Sequence, residues 1–317
     1  MTCTPFAEAA FWRKSLVDKA VILAAGSASR MQENLDRYIS NEEELAFVQK
    51  GEKMAARFAQ FPFLDYQMLN LIQAGIKKIN LVLRHDDSYF INHYDSKGTL
   101  LFPEALISYS FQEIPDGTAH AVLVAEKFVD GDKFIILNGD NNYSTHSILM
   151  LVCSPAPQSS MVAYDIRGFN KWTREKLKDF AVVKTREGKL EKIVEKPQNP
   201  HDFKTNDMLY TVDNQRIDIR NRILVSMNLW CLGAEILYAC KTVKRHESRK
   251  EEKPGEYELP DAIELFMNKG NEILVYHACE DVLDLTRAED IEIVAGRIRK
   301  NLMEKIKELE CRYKRLL

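Results

Sequence analysis

Four short segments of this 317-residue chain combine residue types that could bind a nucleotide and its phosphates. The first, Ala24-Ala25-Gly26-Ser27-Ala28-Ser29-Arg30, directly follows an apolar run. A glycine between a strand and a loop lets backbone N–H groups approach an anion, and the Arg30 guanidinium matches phosphate oxygens. This segment predicts a phosphate-binding loop, with an ordinary turn as the alternative. It is not a P-loop, because no Gly-Lys-Ser/Thr follows.

The second segment, Gln112 to Val122, contains a Pro-Asp-Gly turn followed by a predicted helix. Bare backbone at Gly117 beside the Gln112 carboxamide offers both donors and an acceptor, which suits the edge of a nucleobase. The alternative is a plain loop in which Thr118 caps the helix.

The third and fourth segments place charged residues at the ends of predicted strands. Asp140 follows Leu137-Asn138-Gly139, and a carboxylate in that position commonly holds Mg²⁺ that bridges substrate phosphates. An Asn-Gly turn that merely ends the strand is the alternative. Glu195 and Lys196 precede Pro197 and offer an acceptor for sugar hydroxyls next to a cation for a phosphate. A solvated charge pair is the alternative there.

Apolar patterning predicts the elements that must position these segments. In the first half, strands and glycine-terminated helices alternate as in a parallel α/β sheet, whose ligands bind at the carboxyl ends of the strands. The predicted elements are a strand over Lys19–Ala25, a helix over Phe63–Ala74, strands over Ile79–Leu83 and Ala105–Phe111, a helix over Gly117–Phe128, and a strand over Phe134–Leu137.

The second half predicts a smaller α+β layer followed by a terminal helix. Its short β-type runs are Met161–Tyr164, Phe180–Lys184, Lys189–Val194 and Arg222–Leu232, with a hairpin turn at Gly188. Apolar residues recur at helical spacing through Ala288–Leu317 and predict one long amphipathic helix. Packing on its own domain is favoured over a role in dimerisation, although a homo-oligomer is compatible with this helix.

Composition excludes several classes of protein. Hydrophobic residues make up 45% of the chain, which can therefore bury a core, and the net charge of −3 gives no basic surface for nucleic acid. No apolar run approaches the roughly 20 residues of a membrane span, and the first residues have the wrong charge order for a signal peptide. Six scattered cysteines form no zinc or disulfide pattern, so we expect reduced thiols and a cytoplasmic location.

Taken in order, ILAAG…RM, QEIPDGTAHAV, LNGDN and VEKP resemble the sugar-phosphate nucleotidyltransferase family, from about Lys19 to Asp290. The resemblance implies a Rossmann-like open mixed α/β sheet flanked by helices, of the nucleotide-diphospho-sugar transferase type, with a smaller sugar-binding layer. It also implies an N-terminal extension over residues 1–18, a catalytic domain over 19–287 and a C-terminal helix over 288–317.

The family's pattern assigns a role to individual residues of this chain. Catalytic roles fall on Arg30, Lys53, Asp140 and Lys196. Nucleotide binding falls on Ala24, Ala25, Gly26, Ser27, Arg30, Gln112, Gly117, Thr118 and Asn138. Sugar-phosphate binding falls on Gly139, Ala181, Glu195, Lys196 and Asn228. The Mg²⁺ ligands implied are Asp140 and Asp284, with Asp281 as the alternative for the second.

Several positions depart from the family's pattern. Ala28 replaces the second glycine of the phosphate loop, Ala181 replaces a glycine near the sugar, and Glu52 replaces the proline before Lys53. The stretch Met31–Gly51 is longer than usual, acidic and predicted to be partly helical, which suggests a lid.

We therefore expect an enzyme that transfers a nucleotidyl group from an NTP to a hexose 1-phosphate, with Mg²⁺ as cofactor. UTP and dTTP are the favoured donors, and neither a nucleic acid nor a membrane is expected as a partner. Two alternatives are a weakened sugar-nucleotide binding protein, suggested by the departures above, and an enzyme acting on an alcohol phosphate such as choline phosphate.

Overall fold

The computed structural model describes residues 17–26, 28, 30–32, 34–154, 158–211, 215–245 and 255–315. Numbered along the chain, the strands are β1 (Lys19–Leu23), β2 (Arg57–Phe58), β3 (Phe61–Pro62), β4 (Lys78–Arg84), β5 (Leu106–Gln112), β6 (Phe134–Asn138), β7 (Asn141–Asn142), β8 (Ser159–Asp165), β9 (Ala181–Arg186), β10 (Lys189–Val194), β11 (Met208–Tyr210), β12 (Arg216–Asp218), β13 (Leu224–Leu232), β14 (Ile273–Ala278) and β15 (Leu283–Asp284).

The α-helices among these residues are α1 (Glu42–Gln49), α2 (Phe63–Gln73), α3 (Tyr89–Leu101), α4 (Thr118–Val124), α5 (Glu126–Val129), α6 (Thr145–Val152), α7 (Lys171–Glu175), α8 (Ile236–Thr242), α9 (Leu259–Asn268), α10 (Asp290–Asn301) and α11 (Met303–Lys314). Short 3₁₀ turns cover Leu35–Arg37, Lys53–Ala55, Leu177–Asp179 and Pro200–Phe203.

One large mixed sheet organises the fold. Strands β6, β1, β4 and β5 lie side by side in parallel, and β13 pairs with β6 in the antiparallel direction. Strands β9 and β10 continue the sheet beyond β13, while β8 pairs with both β13 and β14. The predicted second layer therefore extends the first sheet, and the predicted open mixed α/β fold is confirmed.

Strand β1 shows why its sequence is a continuous apolar run. Ala20 and Ile22 belong to the hydrophobic cluster on one face of the sheet, whereas Val21 belongs to the cluster on the other. Both faces are thus covered, as expected of a strand in the middle of a parallel sheet. The predicted strand over Lys19–Ala25 ends earlier, at Leu23, so Ala24 and Ala25 belong to the following loop.

Two predicted helices are interrupted. The helix predicted over Gly117–Phe128 is split at Ala125 into α4 and α5. The single long helix predicted over Ala288–Leu317 is wrong within residues 288–315, because Leu302 (φ −119°, ψ 28°) separates α10 from α11. Apolar residues continue at helical spacing across Leu302, so the sequence pattern alone does not reveal the break.

Helix α11 packs on its own domain, as the favoured alternative predicted. The Arg312 guanidinium forms hydrogen bonds with both carboxylate oxygens of Glu104 and with the Leu101 carbonyl at the end of α3. The Tyr313 hydroxyl donates to Asp65, a fully buried carboxylate of α2. These contacts fix α11 against α2 and α3.

The insertion Met31–Gly51 contains the predicted helical part, α1, whose N-terminus is capped by the Asn41 side chain. Met31, Leu35 and Val48 of this insertion are buried in the core. Within the described chain, no helix combines the length and the apolar character needed to cross a bilayer.

Candidate active site

The candidate site lies where the parallel strands end. Leu23, the last residue of β1, pairs in register with Val82 of β4 and with Asn138 at the end of β6. Gln112, the last residue of β5, pairs with Arg84 at the end of β4. The loops that follow these strands therefore emerge along one edge of the sheet, which is where open α/β sheets bind ligands.

The loop after β1 begins with two buried residues and continues into an exposed turn. Ala24 and Ala25 are buried, and the Ala24 N–H donates to the Val82 carbonyl at 2.9 Å. A Cβ added at Gly26 would meet no atom of the described residues within 4 Å, so their packing does not require a glycine there. Arg30 is exposed. Ser27, also predicted to bind nucleotide, lies outside the described residues.

Lys53 and Asp140 are brought together although 87 residues separate them. The Lys53 ammonium donates to Asp140 Oδ2 at 2.5 Å, and the two side chains are 12% and 23% exposed. Asp140 follows Gly139, whose N–H donates to the Leu23 carbonyl at 2.9 Å. The contact therefore places a cation and a carboxylate beside the end of β1 and the loop that follows it.

Glu52 shows how the turn that carries Lys53 is held without the family's proline. This side chain is almost fully buried, and its Oε1 accepts from the Tyr89 N–H at 3.1 Å. Burial raises the pKa of Glu52 above its ordinary value, and the hydrogen bond from Tyr89 offsets part of that rise.

Asp284 is placed next to the Asp140 turn by the ribbon of β7 and β15. Asp284 pairs in register with Asn141, and the Leu285 N–H donates to the Asp140 carbonyl at 2.9 Å. Asp284 Oδ1 accepts from the Thr286 hydroxyl at 2.7 Å and from the Asn141 amide at 3.3 Å. The alternative ligand, Asp281, instead pairs with Arg297 at 2.7 Å and accepts from Asn170 at 2.6 Å.

Sequence reasoning missed Lys176, a buried cation between two carboxylates. Its ammonium donates to Asp284 Oδ2 at 2.8 Å and to Asp290 Oδ1 at 2.5 Å. Asp290 is fully buried and also accepts from the indole N–H of Trp172 at 2.7 Å. These residues line a small cavity at the start of α10. Since the partners of Lys176 lie more than 100 residues away, no local motif could have revealed the cluster.

The two carboxylates Asp140 and Asp284 suit Mg²⁺ in their chemistry. Mg²⁺ prefers hard oxygen ligands and is usually held by one or two carboxylates together with substrate phosphates and water. Among the residues that the structure describes, no group of three or more His, Cys, Asp or Glu side chains could hold a metal by itself. Two carboxylates on adjoining turns are the kind of donor set that Mg²⁺ uses together with the phosphates of a bound nucleotide.

The loop between β5 and α4 is held from two sides. On one side, Gln112 Nε2 donates to the Gly117 carbonyl at 3.1 Å. On the other, the Ala119 N–H donates to the Tyr257 carbonyl at 2.8 Å, and the Tyr257 N–H donates to the Asp116 carbonyl at 3.0 Å. Gly117 has a φ of +95°, and a Cβ there would lie 2.4 Å from the Tyr257 carbonyl oxygen, so only glycine fits.

Thr118 caps a different helix from the one expected under the plain-loop alternative. Its hydroxyl accepts from the Leu259 N–H at 2.7 Å and donates to Glu258 at 2.9 Å, both at the start of α9. Helix α4 itself begins after Gly117, with no capping side chain. The Thr118 side chain therefore connects the start of α9 to this loop and does not cap α4.

The residues predicted to bind the sugar phosphate lie at the end of β6 and on the strands of its β13 side. Ala181 begins β9 and pairs with Ser226 of β13, while Asn228 lies at an irregularity in β13. Lys196 follows β10, and its ammonium lies 3.1 Å from Glu195 Oε1. Within the described chain, no hydrogen bond or ion pair joins this group directly to Lys53 or Asp140.

Tyr143 connects the end of β6, which precedes Asp140, with β13 beside Asn228. Sequence reasoning also missed this residue. Its hydroxyl donates to the carbonyl of Met227, the neighbour of Asn228. The same hydroxyl accepts from the Asn138 N–H at 3.3 Å. Complete burial raises the pKa of Tyr143 well above its ordinary value, so the phenol stays protonated as a donor.

Three of these positions adopt a backbone conformation that non-glycine residues seldom take. Ala28, Lys196 and Asn228 have φ values of +50°, +45° and +57°. Such residues cost of the order of 1 kcal/mol or more each, and they concentrate at functional sites. The departure from glycine at Ala28 therefore changes the residue but keeps the turn.

Comparison with known proteins identifies the family. The family model described as "Nucleotidyl transferase" matches residues 19–275. The UTP–glucose-1-phosphate uridylyltransferase AglF of Haloferax volcanii is 23% identical over 282 residues, which cover 89% of this chain and 96% of that protein. A glucose-1-phosphate thymidylyltransferase of Neisseria meningitidis is 26% identical over 209 residues, 65% of each chain.

Bifunctional proteins also match. GlmU of Thermodesulfovibrio yellowstonii is 29% identical over 209 residues, which cover 63% of this chain but 40% of that protein. This chain therefore spans less than half the length of that relative.

Solved structures share the fold. A UDP-glucose pyrophosphorylase complexed with UDP-glucose has a TM-score of 0.62 at 16% identity, covering 90% of this chain and 99% of that one. The UTP-bound UGPase from Acinetobacter baumannii also has a TM-score of 0.62, at 18% identity, and covers 93% and 99%. Because the family model covers most of the chain, the resemblance seen in the motifs is confirmed, and the chain belongs to the nucleotidyl transferase family.

Proposed function

We propose that this sugar-1-phosphate nucleotidyltransferase uses UTP or dTTP as its donor and a hexose 1-phosphate as its acceptor, and releases pyrophosphate. The observation that carries the proposal is the contact between Lys53 Nζ and Asp140 Oδ2 at 2.5 Å beside the loop after β1. It joins a cation for phosphates to a carboxylate for a metal at the carboxyl end of the sheet. The named uridylyltransferase and thymidylyltransferase relatives support both donors.

In this proposal Asp140 and Asp284 would hold Mg²⁺ when a nucleotide binds. The ion would supply charge neutralisation at the phosphates and favour departure of pyrophosphate. In the structure, the Lys53 ammonium pairs with Asp140, and the Lys176 ammonium is shared between Asp284 and Asp290. Asp140 and Asp284 are thus each held in place by a hydrogen bond from a lysine.

The chain's own residues act by positioning and by charge. An oxygen of the acceptor phosphate forms a bond to the α-phosphorus of the NTP, and the bond from that phosphorus to the bridging oxygen of pyrophosphate breaks with its electron pair. The attacking oxygen is already anionic, so no general base is needed. Arg30 and Lys53 would bind the phosphates that leave, and Lys196 would bind the acceptor phosphate, which stabilises the charge that develops.

Recognition of the two organic groups is assigned to opposite sides of β6. Gln112, which ends β5, and Gly117, in the loop after it, would contact the base. Glu195, which follows β10, and Asn228, at the irregularity in β13, would contact sugar hydroxyls. Ala181, where the family has glycine, begins β9 on this same side, and its methyl group belongs to the hydrophobic core.

A matrix of substrates tests the proposal and its alternatives together. Pyrophosphate release is measured for UTP, dTTP, CTP, GTP and ATP, each with glucose 1-phosphate, mannose 1-phosphate or choline phosphate. We expect turnover with UTP or dTTP and a hexose 1-phosphate. Turnover with choline phosphate alone would contradict the sugar acceptor, and nucleotide binding without any turnover would contradict an enzyme.

One variant pair tests the role of Asp140. Asp140→Asn should lower pyrophosphate release by at least about a hundredfold, because the amide removes the charge that a metal requires. Asp86→Asn, at an 81% exposed position after β4, serves as the control and should retain activity. Near-normal release by Asp140→Asn in excess Mg²⁺ would contradict the assignment.

A further inference from the structure

The orientation of the Gln112 carboxamide is fixed by a group that can only accept a hydrogen bond. The Gly117 carbonyl oxygen lies 3.1 Å from one terminal atom of that carboxamide. Since a carbonyl has no proton to donate, the atom facing it must be the nitrogen, Nε2, and not the oxygen. The usual ambiguity between the two ends of a glutamine amide is thereby removed.

The same nitrogen also contacts His120. Gln112 Nε2 lies 3.0 Å from His120 Nδ1. Because Nε2 carries only protons at this contact, Nδ1 must be the unprotonated ring nitrogen that accepts the hydrogen bond. Both amide protons of Gln112 are therefore used inside the protein, one by Gly117 and one by His120.

The remaining atom, Gln112 Oε1, is left as an acceptor. Within the described chain, no donor reaches Oε1, although the residue as a whole is only 3% exposed. Gln112 Oε1 is therefore the end of the carboxamide that remains for a donor from a bound molecule, because the two contacts of Nε2 fix the orientation of the amide.

An acceptor in this position distinguishes bases by one proton. Uracil and thymine carry a proton on N3, whereas the N3 of cytosine has a lone pair. Oε1 attracts the first and repels the second. A carboxamide turned by 180° would present its N–H₂ group and reverse the preference. The orientation held by His120 therefore bears directly on base selection.

We propose that His120 is a positioning residue for base specificity, whose Nδ1 lone pair holds Gln112 with Oε1 ready to accept from N3–H of uracil or thymine. This inference rests on the proposed role of Gln112 in binding the base. His120 itself would not contact the substrate. Its contribution is one hydrogen bond to a residue that does.

A matched pair of variants separates this role from simple packing. His120→Asn keeps an acceptor close to the position of Nδ1, and His120→Leu has a similar size without one. Equilibrium binding is measured by calorimetry for UTP, for N3-methyl-UTP, which lacks the N3 proton, and for CTP. Wild type should bind UTP at least about tenfold more tightly than N3-methyl-UTP.

We expect His120→Leu to raise the Kd for UTP about three- to tenfold and to reduce the preference for UTP over N3-methyl-UTP and CTP. His120→Asn should remain within about twofold of wild type. His120→Ala provides a second variant without the acceptor, and thermal unfolding shows that each variant folds. Equal effects of Asn and Leu, or no effect of Leu and Ala, would overturn the inference.

Gln112→Met distinguishes the failure of this inference from failure of the proposed base site. If Gln112→Met abolishes the preference for UTP over N3-methyl-UTP while His120→Leu does not, only the role of His120 is refuted. If Gln112→Met leaves that preference intact, base recognition by Gln112 is refuted and the role of His120 falls with it.

Discussion

Replacement of Lys176 by methionine should destabilise the protein far more than replacement of any exposed lysine. Methionine is similar in length but has no charge, so Asp284 and Asp290 would lose their shared cation. The two carboxylates are 9% and 1% exposed, and the Lys176 side chain is 7% exposed. Water therefore cannot take over the role of the ammonium.

The magnitude follows from what remains after the substitution. Removal of one member of a buried ion pair commonly costs about 3–5 kcal/mol. Asp290 would keep the indole N–H of Trp172 and the backbone N–H groups of Thr286 and Arg287, and Asp284 would keep the Thr286 hydroxyl. We therefore expect the lower end of that range, about 3 kcal/mol, or roughly a hundredfold change in the unfolding equilibrium.

Urea denaturation followed by circular dichroism measures this change. Lys171→Met is the control on the neighbouring helix, because Lys171 is 93% exposed and lies 3.9 Å from Glu175. It should change the free energy of unfolding by no more than about 0.5 kcal/mol. Asp284→Asn added to Lys176→Met should restore about 1–2 kcal/mol, since it removes one uncompensated charge. A loss of less than about 1 kcal/mol for Lys176→Met would refute the reasoning.

Three further predictions concern other parts of the molecule. Lys53→Met should lower kcat about a hundredfold. It should also tighten Mg²⁺ binding to the free protein severalfold in calorimetry, because the ammonium no longer competes for Asp140. Unchanged Mg²⁺ binding would contradict this competition. Ala28→Gly should raise Tm by about 2 °C, because glycine adopts a φ of +50° without the strain that costs alanine about 1 kcal/mol. The control Ala46→Gly, at an exposed site in α1, should lower Tm. Burial tends to raise the pKa of Asp165, but hydrogen bonds from His277 and Arg167 outweigh this effect and hold the pKa well below the ordinary 3.8. The stability that Asp165 contributes is therefore present above about pH 4 and is lost as the pH falls further. Urea midpoints between pH 2 and 7 should thus fall less steeply on acidification for Asp165→Asn than for wild type, and parallel profiles would contradict this.

Much of the sheet could be predicted because its central strands are buried on both faces. The runs around Ile79–Leu83 and Phe134–Leu137 extend by only one or two residues in the structure. The β9–β10 hairpin was predicted from Gly188, which has a φ of +76° in the turn. In these places local composition and tertiary burial favour the same conformation.

Contacts between distant segments could not be predicted in the same way. The family's pattern placed Lys53 in the site, and the structure brings it to Asp140, but no spacing rule gives their contact. Lys176 was not predicted because its partners are distant along the chain and because it occupies no recognised motif. The role of Asp284 as a metal ligand stays a prediction.

Gln112 could be predicted as a residue of the site, but the orientation of its carboxamide could not. The type and position of Gln112 suggest a contact with a base. Which end of the amide it presents depends on the Gly117 carbonyl and on His120, both placed by the start of α4. The sequence specifies the components, and only the folded loop determines their hydrogen-bond direction.

The Lys53–Asp140 contact also affects how nucleotides reach the enzyme. At short range the two opposite charges form a dipole, so before binding they contribute little to the electric field far from the protein. Of the three cations assigned to phosphates, Lys196 is likewise paired, with Glu195. Arg30 is exposed and has no ion-pair partner among the residues that the structure describes. Long-range attraction of an anionic nucleotide is therefore weak, and its association rate should depend only modestly on ionic strength.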